Sequence, residues 1–179
     1  MVLVTEVSSQ DCSQVLSRLQ QANQAHLELL NSKMGSTIPQ QCINDLFNFS
    51  PKEDLPTNIN ASEEENAKSA IQEALQQTGH IFKQNYTETA WDEDSIRAFL
   101  AGLDQQNENL KTCLSASPRN QRIQFTRLKV KKYFRNLSNL LKEKAYSWCA
   151  WEIVQIQVKQ CFLWIEMIVQ IIPNYGMKE

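Results

Sequence analysis

LKEKAYSWCAWEIV, residues Leu141–Val154, joins two helices of opposite character. A basic helix end gives way to a short Tyr-Ser turn, and Cys149 then stands at the opening of a strongly apolar helix. Ile153, Val154, Ile156, Val158, Phe162, Trp164, Ile165, Ile168, Val169 and Ile172 cover more than one of its faces, and Pro173 stops it. A helix apolar over so much of its circumference belongs at the centre of a bundle. It is not a membrane span, because Glu152, Gln155, Gln157, Lys159, Gln160, Glu166 and Gln170 interrupt it.

Working outward, apolar spacing predicts four more helices. The one before the turn, about Arg122–Ala145, carries Ile123, Val130, Phe134, Leu137 and Leu141 inward, with Arg127, Lys131 and Arg135 along its outside. Another begins near Thr89-x-x-Asp92 and continues through Ile96, Phe99, Leu100, Leu103, Leu110 and Leu114 until Pro118. A third opens with Ser62-Glu63-Glu64-Glu65, a capping-box pattern with acids at the positive helix end, and buries Ala67, Ile71, Ala74, Leu75, Thr78, Ile81 and Phe82. The first, about Asp11–Met34, sets Leu16, Leu19, Leu27, Leu30 and Met34 on one stripe, and Gly35 ends it. Between them residues 36–61, with Pro39, Pro51 and Pro56, form an irregular connection too long for a simple turn, so it is functional or crosses the fold. The whole chain, 1–179, reads as one helical domain with flexible ends at 1–10 and 173–179.

With 42% apolar residues, 4 Gly and 5 Pro, the composition suits long regular elements and excludes a turn-rich β fold. A net charge of −2 argues against a nucleic-acid binder acting through total charge. The charges are nevertheless segregated: eleven acids and three bases lie between Asp45 and Asp94, nine bases and one acid between Arg119 and Lys144. The basic segment is expected to be a solvated helix face, partly opposite the acidic half of its own chain.

Cysteines at 12, 42, 113, 149 and 161 contain no C-x-x-C and have only His26 and His80 to help them, which argues against a zinc site. Five suits two disulfides and one free thiol, or five reduced thiols in a cytosolic protein. Four N-x-[ST] sites, at Asn48, Asn60, Asn85 and Asn136, tilt the choice towards secretion, with Asn48 the poorest acceptor because Pro51 follows its serine. Met1–Val4 is too short for a signal core, so either a leader has been trimmed or the form is leaderless. No Glu-x-x-His pair supports a di-iron bundle, and no P-loop, nucleotide fingerprint or H-E-x-x-H occurs. Cys161 has the apolar neighbours Phe162 and Leu163, which raise a thiol's pKa and blunt it as a nucleophile. No enzyme, metal or cofactor is expected.

The Lys-Glu-Lys-x-Tyr-Ser-x-Cys-Ala-Trp-Glu-Ile-Val run resembles the start of the last helix of type I interferons. Leu128-Lys-Val-Lys-Lys-Tyr-Phe-Arg135 resembles the family's fourth helix. Ala90-Trp91-Asp92-Glu93 with Phe99, Leu103, Leu110 and Cys113 resembles its third, and Glu73 with Gln76-Gln77 its second. Cys161 and Leu103-Asp104-Gln105-Gln106 look most like the kappa branch, without that branch's insertion between the third and fourth helices. The resemblance implies an all-α, five-helix cytokine bundle, of the up-up-down-down four-helix type with a long first crossover and an additional helix. It also implies disulfides Cys12–Cys113 and Cys42–Cys149, with Cys161 free.

Type I interferons bring together two receptor chains, one on each side of the bundle. The resemblance matches the high-affinity chain to Leu27, Ile43, Leu46, Gln155, Ile156, Lys159, Gln160 and Trp164. It matches the low-affinity chain to Gly79, His80, Ser95, Leu100, Asp104 and Lys131. Alpha-type members carry arginine where this chain has Leu46, Gln155 and Gln160, and a proline where it has Trp148. The expected protein is a secreted, monomeric cytokine that dimerises a two-chain receptor, drives JAK-STAT signalling and antiviral transcription, and neither binds nucleic acid nor inserts into membranes. The alternatives are a weak agonist or antagonist holding one receptor chain, and a leaderless cytosolic interaction protein.

Overall fold

A computed structural model describes residues 12, 14–32, 39–49, 54–84, 92–114 and 120–172. Expectations that fall on Met34, Gly35, Asn85, Thr89–Trp91, Pro118 and the two termini lie outside these residues. Among the described residues the elements are α1 (Val15–Ser32), a 3-10 turn (Gln40–Cys42), α2 (Ile43–Asn48), α3 (Glu64–Phe82), α4 (Glu93–Thr112), α5 (Gln121–Glu143) and α6 (Trp148–Ile171), with no strand.

Helix starts follow local chemistry. Asp92, Asn120 and Ser147 each place a side-chain oxygen on the amide three residues on, capping α4, α5 and α6. The start of α3 differs from the predicted box: Glu63 occupies the cap position without a side-chain cap bond, and its Oε1 instead accepts from the Asn60 amide, 2.8 Å away. The acidic side chain thus reaches back into the crossover.

Cross-helix contacts give the directions. Asn23 on α1 meets Phe162 and Glu166 on α6, while Leu30 further along α1 meets Gln155 nearer the start of α6, so the two are antiparallel. Lys68 meets Cys113, and Lys83 meets Asp104, so α3 opposes α4. Glu63 meets Arg122 and Glu73 meets Arg127, so α5 runs with α3. Helices α1, α3, α4 and α6 therefore run up, up, down, down, packed in a square whose neighbouring pairs are α1–α4, α4–α3, α3–α6 and α6–α1. Helix α5 lies outside the square against α3 and α6.

The core closes around Trp151, Phe82, Phe99, Phe134 and Phe162, all buried, with Leu16, Leu19, Leu30, Ile71 and Leu75 between them. Helix α3, flanked by three helices, is enclosed as fully as α6. Its polar Lys68, Gln72 and Glu73 are consequently buried too. Each has partners: Lys68 reaches Glu65 at 2.8 Å and the Cys113 carbonyl at 3.1 Å, Gln72 donates to Asn107 at 2.6 Å, and Glu73 pairs with Arg127 at 2.6 Å.

The crossover is not structureless. It contains the 3-10 turn and α2, and it is fastened to α6 at two heights, by the Cys42–Cys149 disulfide and by the Trp164 indole on the Pro56 carbonyl. A second disulfide, Cys12–Cys113, joins the start of α1 to the end of α4.

Candidate binding surfaces

Two opposite edges of the square carry most of the candidate residues. On the α1–α6 edge, the end of α1 meets the first half of α6, and the disulfide holds α2 against the same end. Leu27, Ile43, Leu46, Ile156 and Lys159 are half-buried here, and Gln160 is exposed. Leu27 and Leu46 rest partly on the core.

Gln155 and Trp164 do not join them. Gln155 is buried and donates from Nε2 to the Leu30 carbonyl at 2.9 Å, tying α6 to α1. Trp164 is 6% exposed, its ring packed in the core and its Nε1 donating to Pro56 at 2.6 Å. Both sit on the flanks of α6, where α1 and the crossover cover them. The exposed stripe between those flanks continues instead through Leu163 and Met167, which are 47% and 40% exposed. With Gln160 these follow the three- and four-residue steps of one helix face. Sequence reasoning missed them because the apolar residues of α6 occur all round the helix, leaving no polar stripe to mark the solvent side. Phe47, 78% exposed on α2, was missed likewise.

On the α3–α4 edge, Gly79, His80 and Asp104 line one groove of about 190 Å³ with Leu75, Gln76, Lys83 and Asn107. Gly79 is itself buried, yet a Cβ added there would meet no atom within 4 Å, so the groove leaves open space beside it. Lys83 and Asp104, both exposed, stand 3.7 Å apart at its rim. Leu100 is half-buried and packs on the core, and Lys131 is exposed on α5. Ser95 is displaced from the set: it is buried at the start of α4, its hydroxyl donating to Asp92 at 2.7 Å.

The sequons separate by access. Asn48 and Asn60 are exposed. Asn136, in the middle of α5, is half-buried at the groove it shares with Asp45 and Glu143, its Nδ2 without a hydrogen-bond partner.

Burial shifts three titratable groups, His26, Glu152 and Cys161, towards their neutral forms. His26 is pulled down to about 4. Burial pushes the Glu152 carboxyl up, against a 3.2 Å hydrogen bond from the Trp148 indole that partly offsets it. Trp148, standing where the resemblance expects proline, thus serves a buried acid at the first turn of α6. Burial likewise raises the Cys161 thiol far above its ordinary range, which keeps it an unreactive core residue. Among the described residues, no three His, Cys, Asp or Glu side chains gather as a metal site, and no helix is long and apolar enough to cross a membrane.

The family model of the interferon alpha/beta domain matches residues 15–172, from the first residue of α1 to the end of α6. The chain belongs to the type I interferon family. It is 31% identical to horse (Equus caballus) interferon beta, over 88% of this chain and 85% of that one. Human interferon kappa is 30% identical over 89% and 84%, so the kappa-like features of Cys161 and Leu103–Gln106 are not matched by a closer overall likeness to that branch. Zebrafish interferon 2 shares the fold, with a TM-score of 0.69 over 83% of this chain and 96% of that one, at 20% identity. The protein is accordingly an interferon cytokine, of a family that is not enzymatic.

Proposed function

We propose that this interferon is secreted and bridges two receptor chains, the tighter on the α1–α6 edge and the weaker on the α3–α4 edge. Bridging would start JAK-STAT signalling and antiviral transcription. The observation that supports this most is the exposed stripe Gln160, Leu163 and Met167, continued by half-buried Ile156, on the edge opposite the Gly79–Asp104 groove. Exposed apolar side chains in line on an otherwise well-buried bundle are the anchors expected of a protein interface.

Of the three positions where alpha-type members carry arginine, only Leu46 and Gln160 reach this surface, because Gln155 is buried. The tight edge is therefore more apolar and less charged than an alpha-type edge. Its receptor partner would be correspondingly apolar, with a smaller charge-assisted contribution.

The test uses cells of the source species. Leu163→Asp/Met167→Asp should abolish cell-surface binding and antiviral gene induction together. His80→Glu/Asp104→Lys should retain binding and lose induction. Wild-type protein that binds without inducing would establish the one-chain antagonist instead, and two inert variants would overturn both surfaces.

A further inference from the structure

The basic segment of the chain divides in two in the folded protein. Arg122 pairs with Glu63 at 2.7 Å and Arg127 with Glu73 at 2.6 Å, so these two cations do face the acidic half. Lys129, Lys131, Lys132, Arg135, Lys142 and Lys144 have no carboxylate within ion-pair distance among the described residues. Lys131, Lys132, Arg135 and Lys142 are exposed within about 100° of one another around α5, Lys129 is half-buried on the other flank of the helix, and no acid lies on α5 before Glu143. From Lys131 to Lys142 the row is about 16 Å long. Asp45 and Glu143, which line the groove between α2 and the end of α5, close it off at one end.

We propose that this row on α5 binds a linear sulfated polysaccharide of the extracellular matrix or cell surface. Three of the four cations are lysines, point charges on a convex helix. They suit successive sulfates along a flexible chain rather than a planar bidentate partner. A single-stranded nucleic acid would need aromatic platforms along the row. Phe125 is exposed at one end only, with Lys129 lying 5.7 Å from its ring centre. An anionic membrane would need an apolar face on the helix, and Phe125 and Leu128 again supply it at one end alone. The overall charge of −2 does not oppose binding, because charges beyond about 8 Å are largely screened at physiological salt. The row lies outside the square, so a bound chain leaves the α1–α6 edge open.

The experiment measures binding of the full chain to a size-defined heparin oligosaccharide by surface plasmon resonance across a salt series. Wild-type affinity should fall steeply with salt. Lys132→Gln/Arg135→Gln/Lys142→Gln should lose about tenfold or more, while Lys83→Gln/Arg97→Gln/Lys111→Gln, which removes three cations elsewhere, should stay within about twofold. The charge-keeping variant Lys132→Arg/Lys142→Arg should bind as wild type and controls for damage to the fold. Equal losses in both triple variants, no loss in the first, or loss in the charge-keeping variant would overturn the proposal. So would phosphatidylserine vesicles or a single-stranded oligonucleotide binding more tightly than heparin through the same cations.

Discussion

The indole Nε1 of Trp164 donates to the carbonyl of Pro56 across 2.6 Å, two residues far apart in sequence that pin the crossover to α6. Both are buried, so the bond and the ring's packing act together. Trp164→Ala should cost about 3–5 kcal/mol of stability through the cavity it leaves. Trp164→Phe keeps most of the ring but leaves the Pro56 oxygen unpaired, and should cost about 1–3 kcal/mol. Urea unfolding measures both. Unchanged stability with weakened receptor binding would return Trp164 to the surface role its family position implied.

The other fastening of the crossover is covalent. Cys42–Cys149 closes a ring of 107 residues, for which chain entropy predicts about 4–5 kcal/mol. Cys149→Ser should lower the melting temperature sharply and free the Cys42 thiol, countable with a thiol reagent. A melting temperature equal to wild type would mean that the bridge does not constrain the unfolded chain.

Positions whose burial depends on one helix's own pattern were legible in advance. Ala67, Ile71, Ala74, Leu75, Thr78, Ile81 and Phe82 were expected to face inward on α3, and all are buried. Positions decided by a second element were not. Arg127, Lys131 and Arg135 were expected along one outer line, but each four-residue step advances about 40° around a helix. The line therefore begins against α3, where half-buried Arg127 meets Ser69 and Glu73, and is fully exposed only from Lys131. Gln155, Trp164 and Ser95 failed as surface candidates for the same reason, since α1, the crossover and a cap cover them. Family position placed them on an edge; the packing of this chain decided which of them solvent reaches.

The Arg127–Glu73 pair yields a prediction of its own. Glu73 is 2% exposed and also accepts from Gln77, so removing its cation strands a buried charge. Arg127→Ala should destabilise by about 2–3 kcal/mol, and Arg127→Ala/Glu73→Leu should recover most of that loss. A double variant less stable than the single would show that the pair contributes net stability.

At the turn between α5 and α6, the Tyr146 amide donates to the Leu141 carbonyl at 2.7 Å and the Ala145 amide to Lys142 at 3.1 Å. This is the helix stop usually built on glycine. Here Ala145 and Tyr146 adopt φ of 52° and 57°. A side chain in that region costs about 1–2 kcal/mol, so Ala145→Gly should raise stability by about 1 kcal/mol after its entropy cost. A loss of stability in the urea midpoint would locate unrecognised packing at the Ala145 methyl.

His26 makes the interior sensitive to acid. It is 3% exposed, its ring edge-on to Phe99 and Phe162, its Nδ1 without a partner, and its Nε2 only 2.6 Å from where a Cβ on Gly102 would stand. Burial lowers its pKa from 6.5 to about 4, so between those values the unfolded chain takes up the proton more readily than the folded one. The stability that the neutral ring permits is fully present above pH 6.5 and is lost progressively as pH falls towards 4, to a total of about 3 kcal/mol. Carboxylates titrate at the lower end of that window, so the readout is the difference between wild type and His26→Leu in urea midpoint at each pH. That difference should move in favour of the variant as pH falls from 6.5 to 4. A difference independent of pH would mean that the imidazole is already hydrated or protonated in the native bundle. Gly102→Ala, which drives a methyl into the ring's place, should destabilise at every pH.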